Sequence, residues 1–239
     1  MNRNLFFLLT LLPLFSGSVS AYEYKPLVEE GKVWHMVFEP YLEDADIIDF
    51  DYFIEGDTVI AGHQCKKVYT RNRYDRGEVV YVKAAFEEGR RVSVIDHGQE
   101  EAYVVFDFNL SAGDTFSMAY VENLTFLVRE VRIINVHGID RRAFCIVCQS
   151  ETDDAYLNEP KWWIEGIGCI GGPFTPSHFL LVGYSSYFMS CEVNGSVICD
   201  EYNFWNLNAQ SVINCDVTGD GVVDIDDVNA VINVIVKRY

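Results

Sequence analysis

Val33-Trp-His-Met-Val-Phe38 places two valines, a tryptophan, a methionine and a phenylalanine around a single histidine. A short run so rich in β-branched and aromatic side chains reads as a strand, because such side chains pack well on a pleated surface. The signature recurs at Asp49–Ile54, Cys65–Thr70, Val79–Phe86, Arg91–Ile95 and Ala102–Phe108. Turn chemistry separates the runs at Glu55-Gly-Asp57, Glu88-Gly89 and Ala112-Gly-Asp114. Leu124–Val136 and Arg142–Gln149 flank Gly138 as a hairpin, and Ser190–Val193 meets Ser196–Cys199 across Asn194-Gly195, a strong hairpin turn signal. No amphipathic helix of usual length is expected before residue 227. Short connections favour sequential antiparallel neighbours, so the fold class is all-β: a hairpin meander closed into a barrel-like or sandwich form.

Outside this β-region the two ends of the chain have their own character. Residues 1–21 carry Arg3, the apolar run Leu5–Phe15 and the small residues Gly17-Ser-Val-Ser-Ala21, the pattern of a secretory leader, with cleavage expected between Ser20 and Tyr22. That apolar run is short for a bilayer core of about 30 Å, so no membrane span is expected. The expected layout is a leader at 1–21, a β-domain at 22–200, a linker at 201–214 and a separate C-terminal unit at 215–239. The chain is placed outside the cytoplasm, secreted or periplasmic.

Asp216-Val-Thr-Gly-Asp-Gly-Val-Val-Asp-Ile-Asp-Asp227 is the stretch whose spacing dictates a chemistry. Side-chain oxygens at loop positions 1, 3, 5, 9 and 12 belong to Asp216, Thr218, Asp220, Asp224 and Asp227; Val222 offers its carbonyl, and Gly221 permits the sharp turn. A hard cation takes about six to eight oxygens, so the implied cofactor is Ca2+. Val228, Val231, Ile232 and Ile235 then line one face of a short helix. The run resembles one repeat of a type I dockerin, whose loop ends in Asp and feeds directly into a helix, making the C-terminus a half dockerin. The resemblance implies a cohesin-like partner, or the chain's own β-domain, contacted through Ile225, Asp226, Ile232, Asn233 and Lys237.

A further resemblance rests on Ile54-Glu-Gly-Asp-Thr-Val-Ile-Ala-Gly62, Phe106-Asp-Phe-Asn-Leu-Ser-Ala-Gly-Asp-Thr115 and Trp163-Ile-Glu-Gly-Ile-Gly168, which are similar to pieces of exported all-β proteins of gut Bacteroidetes. It implies fold and location, with no catalytic residue.

Composition and motifs bound the function. With 36 Asp and Glu against 18 Lys and Arg the formal net charge is −18, and the basic residues are scattered, which argues against nucleic acid. Seven cysteines at 65, 145, 148, 169, 191, 199 and 215 leave at least one without an intramolecular partner. Cys145-Ile-Val-Cys148 has the spacing of a redox or zinc pair, but residues three apart on a strand face opposite sides. A two-residue Asn194-Gly195 turn opposes Cys191 to Ile198; one further residue would oppose it to Cys199. The histidines lie apart, and metalloprotease, serine-hydrolase and phosphate-loop motifs are absent from the sequence. If the protein is an enzyme, a glycoside hydrolase with Glu165 as acid beside Trp162 and Trp163 is the candidate, although such chemistry needs a second carboxyl group. A carbohydrate-binding module is the alternative: adjacent tryptophans point to opposite faces of a strand, leaving one for a sugar ring of a polysaccharide. The leading expectation is an exported, non-catalytic β-protein with a calcium-dependent docking tail, associated with polysaccharide-degrading machinery.

Overall fold

The computed structural model describes residues 22–40, 46–73, 77–118, 124–149, 160–175 and 184–212. Among these described residues thirteen strands and one helix follow in chain order. They are β1 (Lys32–Pro40), β2 (Ile48–Ile60), β3 (His63–Asn72), β4 (Val80–Glu88), β5 (Arg91–Asp96), β6 (Tyr103–Asp107) and β7 (Thr115–Phe116). Then come β8 (Thr125–Val136), β9 (Ile139–Gln149), β10 (Lys161–Ile164), β11 (Gly168–Cys169), β12 (Tyr184–Val193), β13 (Ser196–Asp200) and the helix α1 (Glu201–Val212). The all-β antiparallel expectation holds. One sheet has the order β13-β12-β1-β2-β3-β4-β5-β6, the other β11-β10-β9-β8-β7.

The two sheets share one core. Trp34 and Met36 of β1, Phe50 and Ile54 of β2 and Phe106 of β6 belong to the same buried cluster as Phe126, Phe144, Trp163 and Ile164 of the smaller sheet. Phe106 meets Trp163 edge-on at 5.2 Å, and Phe108 meets Phe144 at 5.6 Å. A buried aromatic ring removes roughly 150–250 Å² from water at about 25 cal/mol per Å². The exposed ion pairs of the outer face contribute about 0–1 kcal/mol each, so the rings hold the sheets together.

Tight hairpins set the registers. Val193 pairs with Ser196 across Asn194-Gly195, whose φ angles are 51° and 78°, the left-handed pair that a type I′ turn demands. Ile60 pairs with His63 across Ala61-Gly62 in the same way, with φ of 50° and 86°. This corrects the sequence reading. Glu55-Gly-Asp57 does not end a strand: the register slips between Ile54 and Asp57, and β2 runs on as a bulged strand to Ile60.

Within the stretch 201–214, read from the sequence as a linker, residues 201–212 form α1. Asn203 Oδ1 accepts the Asp200 N–H at 2.9 Å, half of a capping box. Phe204 and Leu207, three apart on one face, are buried, and the Phe204 ring meets Phe188 of β12 at 5.0 Å. Tyr202 and Trp205 point outward, 68% and 55% exposed. Burial of Phe204 and Leu207 supplies what a helix this short lacks in isolation. Among the described residues no helix is long and apolar enough to cross a membrane.

Candidate functional site

The residues from Trp162 to Cys169 are all buried, although they include the turn Glu165-Gly166-Ile167 between β10 and β11. A buried turn carries backbone polar groups that water cannot satisfy. Here three successive carbonyls each accept from a buried side chain. Arg141 Nη1 donates to Glu165 O at 2.9 Å, Lys32 Nζ to Gly166 O at 3.1 Å, and Trp34 Nε1 to Ile167 O at 2.8 Å. Lys32 also donates to Pro26 O at 2.7 Å and lies 3.3 Å from Glu29. Burial pushes the Lys32 ammonium below its usual range, with nearby Cys191 and Glu29 acting against the shift.

Glu165 faces the segment that precedes β1. Its Oε1 accepts from the Tyr22 hydroxyl and from the Lys25 N–H at 2.9 Å. Oε2 is buried without a hydrogen-bond partner, as is Arg141 Nε. Burial, then the hydrogen bond to Glu165, raises the Tyr22 hydroxyl well above the usual phenol range. Gly166 makes the close approach possible: at φ 74° its Cβ would stand 2.6 Å from Arg141 Nη1 and 2.9 Å from Lys25 O.

A second carboxylate holds the same segment from the other side. Glu87 of β4 accepts from the Tyr24 hydroxyl at Oε1, and from Leu27 N and Val28 N at 2.9 and 3.0 Å at Oε2. It lines a shallow cleft of about 600 Å³ with Tyr24, Cys65, Lys66 and Arg90. The rim charges are engaged with the protein itself. Lys66 bridges Glu30 and Asp57 at 2.9 and 2.6 Å, and the Arg90 guanidinium lies over the Tyr24 ring at 5.2 Å. Burial and the Glu87 hydrogen bond raise the Tyr24 hydroxyl above its usual range as well.

The residues proposed for sugar chemistry are therefore inside. Glu165 is fully buried, and its one engaged oxygen serves the chain, leaving no path for a glycosidic oxygen. Trp162 and Trp163 are each 1% exposed, which corrects the expectation of one outward tryptophan. Trp163 enters the core against Phe106, while Trp162, on the other face of β10, is covered by the Arg132 guanidinium at 4.4 Å. Cys145 and Cys148 are buried opposite Trp162 and Phe126. Among the described residues no group of three or more His, Cys, Asp or Glu could hold a metal ion. The calcium-loop residues Asp216, Thr218, Asp220, Val222, Asp224 and Asp227, and the contact residues Ile225, Asp226, Ile232, Asn233 and Lys237, lie outside the described residues.

Lys32, Arg141, Tyr22 and Glu87, the other members of the two clasps, have no motif to announce them. Lys32 alone leaves a signal, since it shares the inward phase of β1 with Trp34 and Met36.

Fold and site together define a two-sheet antiparallel β-protein with a clasped N-terminal segment and a C-terminal helix. No family model, curated protein or solved structure matches the chain.

Proposed function

We propose that the protein is an exported, non-catalytic β-scaffold carrying a calcium-dependent, dockerin-like docking segment, and that it works beside polysaccharide-degrading machinery. The observation that carries this reading is the oxygen-donor spacing of Asp216, Thr218, Asp220, Asp224 and Asp227 about Gly221. Two features of the β-domain support it. Glu165 and the paired tryptophans are committed to the interior, and α1 is held on β12 immediately before the loop in sequence. The partner is a cohesin-like module, met through Ile225, Asp226, Ile232, Asn233 and Lys237.

Calorimetric titration of the full chain with calcium tests the reading, together with hydrogen exchange of residues 216–236. Binding in the micromolar to millimolar range is expected. Asp216→Ala and Asp227→Ala should each abolish it, and Asp226→Ala should spare it while weakening capture of a cohesin-like partner. Equal protection of those amides with a chelator present would overturn the calcium dependence.

Carbohydrate binding is the second reading, favoured by a row of rings on the outer face of the larger sheet. Phe53 stacks on Tyr69 at 5.4 Å, Tyr69 meets Tyr81 at 5.5 Å, and Tyr81 meets His97 at 4.9 Å. The Arg71 guanidinium lies over Phe53. Retention on an insoluble polysaccharide that Tyr81→Ala abolishes would favour it.

A further inference from the structure

Among the described residues, one pair of nucleophilic side chains is brought face to face. Cys191 of β12 and Cys199 of β13 are direct cross-strand partners, and both are fully buried. The Asn194-Gly195 turn by itself would oppose Cys191 to Ile198. Instead Glu192 pairs with Val197, the register shifts, and Ile198 is the extra residue that brings Cys199 opposite Cys191. Directly opposed residues of an antiparallel pair lie about 4.5–5.5 Å apart at Cα. That falls within the roughly 4.4–6.8 Å that a disulfide spans. The remaining described cysteines face other residue types: Cys65 opposes Thr58, Cys145 opposes Trp162 and Glu130, Cys148 opposes Phe126, and Cys169 opposes Trp163.

We propose that Cys191 and Cys199 form a disulfide across the β12–β13 hairpin, made while the hairpin folds, by exchange with a small-molecule or protein disulfide. One cysteine thiolate attacks a sulfur of the donor disulfide; a mixed disulfide forms and the other donor sulfur leaves as a thiolate. The second cysteine thiolate then attacks the first cysteine's sulfur, forming the Cys191–Cys199 bond and expelling the second donor sulfur. The protein pair loses two electrons to the donor disulfide, and the protons of its two thiols pass to the solvent and the donor thiolates.

The timing follows from burial. In the folded thiol form burial pushes Cys191 up to about 12 and Cys199 well above its usual range, although Lys32 and Arg141 favour the Cys191 thiolate and Arg141 that of Cys199. Exchange requires a thiolate and access. A folded chain offers neither, so it keeps whichever state it folded in. The bond would staple the edge strand β13, and with it α1, to β12.

The test uses the full chain, unfolded and refolded in mixed oxidised and reduced glutathione, then denatured and alkylated. The peptide containing Cys191 and Cys199 should escape alkylation, be lighter by two hydrogen atoms, and stay joined after cleavage at Glu192 until reduced. In Cys191→Ala, refolded the same way, Cys199 should become alkylatable. Reductant added to the folded oxidised chain should leave the bond intact unless denaturant is present. Alkylation of Cys191 and Cys199 as complete as that of Cys145 and Cys148, or a link from either to another cysteine, would overturn the pairing. Rapid reduction without denaturant would overturn the confinement to folding. The calcium loop plays no part here, so this experiment and the calcium titration fail separately.

Discussion

Glu165 and Glu87 do the same work in different surroundings. Each holds the segment 22–28 by one tyrosine hydroxyl and at least one backbone N–H. Glu165 does so with no exposure to water and one oxygen left over, whereas both Glu87 oxygens are engaged at the edge of an open cleft. An interior carboxyl group that loses its partners has no water to fall back on, while one at a cleft does. The buried clasp should therefore dominate stability, and the exposed one should tune only how tightly the segment lies down.

Truncation of either carboxylate separates the two clasps most clearly. Glu165→Ala should cost about 3–5 kcal/mol, since it leaves the Tyr22 hydroxyl and the Lys25 N–H without their acceptor and a gap in the interior. Urea unfolding at neutral pH measures it. Next, Gly166→Ala should cost about 2–4 kcal/mol, from the positive φ and the crowding against Lys25 and Arg141. A similar fall in unfolding midpoint, with Tyr22 newly accessible to tyrosine nitration, is the expected result. Glu87→Ala should cost about 1–2 kcal/mol, because water replaces part of what it gave. Equal losses for Glu165→Ala and Glu87→Ala would show that burial does not set the two clasps apart.

The most gradual effect is alkaline. Tyr22, Tyr24 and Tyr103 hold their protons more tightly when folded. Above about pH 10 the unfolded chain loses these protons first, so their contribution is full below that pH and declines as pH rises further. Lys32 runs the other way: its folded value is lowered, so its contribution grows as pH rises toward about 10.5. Burial raises Tyr52 and Tyr81 as well, so the tyrosines outnumber Lys32 and give a net decline, measurable as a falling urea midpoint. The buried thiols begin the decline earlier, above about pH 8.5: Cys191 and Cys199 contribute in the reduced chain beside Cys65, Cys145, Cys148 and Cys169, and oxidation of the pair should lessen that early part.

Much of the sheet was legible in the sequence, because alternation and β-branched runs report directly on strands. Val33–Phe38 and Leu124–Val136 needed little more. The two-residue β7 and β11 carry too few side chains to announce a period. The Glu55-Gly-Asp57 signal was real but ambiguous, since a glycine at positive φ serves a bulge as well as a turn. Helix α1 was hidden by its length, although Asp200 and Asn203 formed a readable cap. Trp162 and Trp163 misled because alternation says which face a side chain takes and nothing of what covers that face; Arg132 did the covering. Neither clasp could be read, since Tyr22 and Glu165, or Leu27 and Glu87, meet only through tertiary folding.

The pairing of β1 with β12 sets a schedule for folding. Trp34 lies opposite Cys191, so β1 has β2 on one side early in synthesis and waits on the other until most of the β-domain has been made. Such distant pairing is slow to nucleate, and the waiting edge is open to pairing with another chain. A nascent molecule of this kind gains from a holding chaperone until its C-terminal hairpin arrives.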